Sequence, residues 1–120
     1  TSIIISDKTQ ELIQDKNFLS RKLDRVSVVG RNEPMDIFEI FDYQEETIKD
    51  ATLKTLECFE NSVEIYERGD WSEASHGFKE CLKHFPEDSA ASIYIGRCDM
   101  MINNPEVALG WDGITHMKNK

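Results

Sequence analysis

Near residue 42 the spacing of apolar residues changes, and no other feature of this 120-residue sequence limits the fold as much. Before that point, short β-branched and aromatic runs alternate with polar and turn residues. After it, apolar residues recur every three or four positions. A strand buries alternate residues, whereas a helix buries a stripe of period 3.6, so a chain that switches period must contain both kinds of element. The expected class is α+β. Residues 1–42 read as a short strand–helix–β-hairpin unit, 43–104 as an antiparallel helical region of two to three helices, and 105–120 as a tail.

In the first part, Ile3, Ile4 and Ile5 are strand material. Ser6 stands where a helix N-cap belongs, with Asp7 and Glu11 near the positive end of that helix. Leu12 and Ile13 give the helix an apolar side, and it should end by 15–17. Residues 19–29 then read as extended, with Leu23, Val26, Val28 and Val29 as apolar members. Gly30-Arg31-Asn32-Glu33 is turn-like, Pro34 excludes helix at its predecessor, and 35–41 is extended again. Two such runs around a glycine-containing loop predict a β-hairpin.

In the second part, Ile48, Ala51, Leu56, Phe59, Val63 and Tyr66 mark the expected buried face of a long helix, with most of its acidic residues off that face. Gly69-Asp70 breaks it. Ala74, Phe78, Cys81 and Leu82 line a second helix, which Pro86 cannot continue. Ser89 is the expected cap of a third, with Ala90, Ile93, Tyr94, Cys98 and Met101 facing the core, and Asn103-Asn104-Pro105 ends it. The final residues, 111–120, read as irregular. No flexible linker separates the two parts, so hairpin and helices are expected to touch.

Charge narrows the partners. The net charge is −9, and an acidic surface repels phosphate backbones and anionic lipid heads, so neither nucleic acid nor direct membrane contact is expected. No apolar run is long enough to cross a bilayer and the first residues lack a signal-peptide pattern, which places the chain in the cytoplasm, with any membrane segment outside it. Cys58, Cys81 and Cys98 form neither a disulfide framework nor a metal knuckle and read as three reduced, buried thiols. His76, His84 and His116 are scattered, without companions at ligand spacing. No phosphate loop, nucleophile elbow or HExxH is present.

Two resemblances bear on function. The run Gly69-Asp70-Trp71-Ser72-Glu73-Ala74, with Phe78, Cys81-Leu82 and Pro86, resembles the second half of a tetratricopeptide repeat. Gly-Asp makes the tight turn, Trp71 plugs its end, Ala74 is small where the helices approach, and Phe78 and Leu82 fill the seam. Gly96 falls where a following repeat wants a small residue. At about one and a half repeats, the region is short for an extended peptide groove.

The second resemblance spans nearly the whole chain. Ile3-Ile4-Ile5-Ser6-Asp7-Lys8-Thr9 resembles the strand-to-helix step near the end of the catalytic domain of class III adenylate/guanylate cyclases. The stretch 25–40, containing Val29-Gly30-Arg31-Asn32-Glu33-Pro34, resembles that domain's closing hairpin. Trp111-Asp112-Gly113-Ile114-Thr115 resembles the ending that follows a tetratricopeptide-like region in many bacterial members. The resemblance implies that the parent converts a purine nucleoside triphosphate to the 3′,5′-cyclic nucleotide plus pyrophosphate. It further implies two Mg or Mn ions held by two aspartates and a site at a homodimer interface.

This chain is expected to lack catalytic residues and cofactors of its own, because the matching segments exclude the family's aspartates and its Asn/Arg pair. Asp7, Asp24 and Asp36 lie in the wrong part of the domain to replace them. The family's phosphate-contacting hairpin lysine is replaced by Val29, which cannot bind an anion. Arg31, at the second basic position, is either a nucleotide-phosphate contact in the intact enzyme or a solvated turn residue. Trp71 and Trp111 are expected to act in packing, Trp111 by docking the tail. The expected partner is the remainder of the catalytic domain. The alternative is a small tetratricopeptide-like module that binds a protein partner and has no nucleotide chemistry.

Overall fold

A computed structural model of the chain describes residues 3–6, 8–9, 19–27, 33–42 and 44–116. They belong to two compact units: Thr1–Lys49 with Ile114–Lys120, and Asp50–Gly113. The class is α+β.

The first unit is built on a four-stranded sheet. The isoleucine run is extended as β1 (Ile3–Ser6). Ser6 Oγ accepts a bond from the Thr9 N–H at 3.4 Å, and Lys8 and Thr9 are helical, as the expected cap requires. The body of that helix and the residues of the hairpin turn, 28–32, lie outside the described residues. The hairpin's two strands are β2 (Ser20–Ser27) and β3 (Met35–Ile40), paired antiparallel. β1 pairs antiparallel with the other side of β3, from Ile3↔Ile40 to Ser6↔Ile37. Beyond the strands, the Phe41 N–H donates to Leu19 O at 2.9 Å, and Asp42 Oδ2 accepts from the Leu19 N–H at 2.8 Å. Val26, Ile40 and Phe41 are buried.

The second unit is helical. α1 (Glu46–Glu67) begins in the first unit and continues into the second. α2 (Trp71–His84) and α3 (Ser89–Asn103) follow after short turns. Gly69, at φ +84°, makes the first turn with a backbone conformation that side chains disfavour. Along α1 and α2, Cys58 meets Cys81, a Cβ on Gly77 would meet Ser62, and Tyr66 meets Trp71, an order that only antiparallel helices give. Phe59, Phe78 and Tyr94 bring the three helices together: Phe59 meets both rings edge-on, and Phe78 stacks on Tyr94 with centroids 4.6 Å apart.

Several expectations need correction. The buried face of α1 runs through Thr52, Thr55, Phe59, Ser62, Val63 and Tyr66, while Ile48, Ala51 and Leu56 are only half-buried. Hydroxyl groups can occupy that face because they bond back to the helix: Thr55 Oγ1 donates to Ala51 O at 3.0 Å and Ser62 Oγ to Cys58 O at 2.8 Å. On α3 the buried set is Ala91, Tyr94, Cys98 and Met101, a regular helical stripe, so Ile93 falls off it and is 57% exposed. The cap of α3 is Asp88, whose carboxylate accepts from the Ala90 N–H at 3.2 Å, rather than Ser89. A Cβ on Gly96 would meet nothing within 4 Å, so no close approach requires a small residue there. Residues 111–120, expected to be irregular, contain β4 (Thr115–His116), and a helical turn, α4 (Pro105–Ala108), precedes them. β4 adds to β2 in parallel and gives the sheet order β1-β3-β2-β4. A parallel partner some ninety residues away leaves no local signature to read.

Candidate functional site

The hairpin surface is where the resemblance places contact with a nucleotide, and its charges show a specific arrangement. Arg21 lies directly opposite Glu39, and its Nε donates to Glu39 Oε1 at 2.8 Å with both side chains nearly fully buried. Arg25 lies opposite Asp36 and donates to it at 3.0 Å, and Lys22 Nζ is 3.5 Å from the same carboxylate. One extra residue on β2, at Leu23, shifts the register between Lys22 and Asp24. Without it, Arg25 would face Met35. The bulge therefore brings the second pair of opposite charges together. On the other side of β2, Thr115 Oγ1 donates to Asp24 Oδ1 at 3.1 Å and ties β4 to the bulged segment.

The three basic side chains of β2 are thus each engaged with a carboxylate of β3, so this part of the ribbon is internally neutralised and is not a bare cationic surface. Arg31 and Val29 lie outside the described residues. The sequence reading missed these pairs. Basic Arg21, Lys22 and Arg25 on one run and acidic Asp36 and Glu39 on the other were the available signal, but the bulge that sets the second pair could not be read from it.

In the helical unit, Trp71 and Trp111 come together. With Tyr66 they form three edge-to-face contacts, with centroids 5.2–5.4 Å apart. The Trp111 indole N–H donates to Glu67 O at 2.9 Å, tying Trp111 to a carbonyl at the end of α1. Gly113, at φ +86°, has no Cβ where one would lie 3.3 Å from the same carbonyl. The Trp-Asp-Gly segment therefore closes over the α1–α2 turn, and its glycine is required by both backbone conformation and space.

An open groove of about 400 Å³ runs along the α1–α2 seam. Glu57 and Glu73 give it acidic edges, and Cys58, Ser62 and Gly77 line it. Cys58 is half-buried there, which corrects the expectation that all three thiols are fully buried; Cys81 and Cys98 are. Burial pushes the Cys98 thiol up to about 11, with Asp99 acting in the same direction. Lys83, 2.8 Å from Glu80, holds that carboxyl below its usual range. Among the described residues no group of three or more His, Cys, Asp or Glu could hold a metal ion. No helix among the described residues is long and apolar enough to cross a membrane.

Sequence comparison adds one relation to this geometry. The chain is 32% identical over 107 residues, 88% of its length, to "adenylate cyclase, terminal-differentiation specific" of Dictyostelium discoideum. It spans 5% of that protein. The chain is thus related in sequence to a small part of an adenylate cyclase. No family model matches it, and no solved structure matches it significantly.

Proposed function

We propose that this chain is the closing segment of a class III nucleotide cyclase, where it completes the catalytic sheet and carries a tetratricopeptide-like helical appendage with a regulatory or dimer-contacting role. The carrying observation is the relation to an adenylate cyclase over 88% of the chain, more than either structural unit alone. The antiparallel hairpin and its neighbour β1 support the reading: β4 pairs with the last two residues of β2, and among the described residues no strand pairs with the outer side of β1, which leaves that edge for a further strand. On this reading the reaction, a nucleoside triphosphate cyclised with loss of pyrophosphate, belongs to the parent. Its metal-binding aspartates and divalent ions belong to the remainder of the catalytic domain, in a cytoplasmic homodimer. Arg31 is the one candidate here for a phosphate contact.

Complementation tests the proposal. The parent's catalytic fragment ending where this chain begins should convert little ATP or GTP by itself, the chain none, and the mixture should regain cyclase activity. A catalytic fragment fully active without the chain, or turnover by the chain alone, would contradict it. The groove on α1 and α2 favours a second reading, a binding module. Its acidic edges suit a cationic peptide, and tight binding of such peptides by a chain that fails to complement would support that reading instead.

A further inference from the structure

Two of the three cysteines face each other across the α1–α2 seam. Cys58 Sγ and Cys81 Sγ are 3.3 Å apart, on residues separated by 23 positions. A disulfide needs about 2.05 Å between sulfurs, so the atoms have little more than 1 Å to travel. The two thiols differ in access. Cys81 is fully buried, whereas Cys58 is half-buried and lines the open groove, with its Sγ also 3.4 Å from Gly77 O. The absence of a side chain at Gly77 lets the helices approach this closely. We infer that Cys58 is a modification site for hydrogen peroxide, with Cys81 as its resolving partner, and that oxidation closes a disulfide locking α1 to α2.

The chemistry balances in two steps. The Cys58 sulfur attacks one peroxide oxygen, the O–O bond breaks, and the Cys58 proton leaves with the departing hydroxide as water, giving a sulfenic acid. The Cys81 sulfur then attacks the Cys58 sulfur, the S–O bond breaks, and the hydroxyl takes the Cys81 proton to leave as a second water. Together the two sulfurs lose two electrons and the peroxide oxygens gain them. Cys98 is a built-in control: it is fully buried on α3, and burial keeps it a protonated, poorly nucleophilic thiol at neutral pH.

The test is peroxide titration of the full chain, read by intact mass and peptide mapping. The expected result is a loss of about 2 Da, a dithiothreitol-reversible link between the peptides holding Cys58 and Cys81, and a Cys98 that still alkylates after unfolding. In a Cys81→Ser chain shown by circular dichroism to be folded, Cys58 should accumulate as a sulfenic acid captured by dimedone. Three outcomes would overturn the inference: a link that includes Cys98, over-oxidation of Cys58 in the wild-type chain while Cys81 stays free, or resistance of all three thiols to peroxide that oxidises the urea-unfolded chain. The wild-type map decides the matter even if the variant does not fold.

Discussion

Cys98 shows how much a single buried side chain can reveal. Its thiol is pushed up from an ordinary 9.0 to about 11 because the buried site disfavours the thiolate. Below pH 9 the thiol is protonated in both the folded and the unfolded chain, so it adds no pH dependence. Between pH 9 and 11 the unfolded chain loses the proton and the folded chain keeps it, so stability falls as pH rises, by about 2–3 kcal/mol across the window. Urea unfolding of the wild-type and Cys98→Ala chains across that window checks this: the alkaline loss should be smaller in the variant. Equal losses in both would show that Cys98 is not the group responsible. Residue identity made Cys98, Phe59, Phe78 and Tyr94 legible as core. It misplaced Thr52, Thr55 and Ser62, because a hydroxyl looks like a surface group until its bond to the preceding turn is seen.

At the scale of elements, the α1–α2 seam depends on Gly77. A Cβ there would collide with Ser62 Oγ and lie 3.2 Å from Ser62 Cβ. Replacing glycine by alanine inside a helix ordinarily gains about 1 kcal/mol. Overpacking a tight site costs about 1–3 kcal/mol, and here moving the hydroxyl also gives up its bond to Cys58 O. The clash should win. Gly77→Ala is expected to lower the stability of the helical unit by about 1–2 kcal/mol in urea melts, and adding Ser62→Ala should recover most of the loss. A neutral or stabilising Gly77→Ala would show that the helices can separate at little cost. The existence and order of these helices could be read from apolar period, Gly69 and Pro86, as could the two runs of the hairpin. The bulge at Leu23 and the pairing of β2 with β4 could not, because both depend on partners chosen in three dimensions.

For the molecule as a whole, the sheet's two edges are unequal. On one side the end of β2, at Val26 and Ser27, pairs with the short strand β4 of the same chain, while on the other β1 is the last strand among the described residues, with Ile4 51% exposed. Natural sheets seldom leave an apolar strand at an edge without a partner or a guard. The proposal that this ribbon closes a larger catalytic sheet supplies that partner. The measurement that tests it most directly is amide hydrogen exchange of β1, with the chain alone and in complex with the remainder of the catalytic domain. The account predicts that the outward-facing amides of β1 slow about tenfold or more in the complex, while those of β4 do not change. A complex that forms and leaves β1 exchanging at its free rate would contradict it.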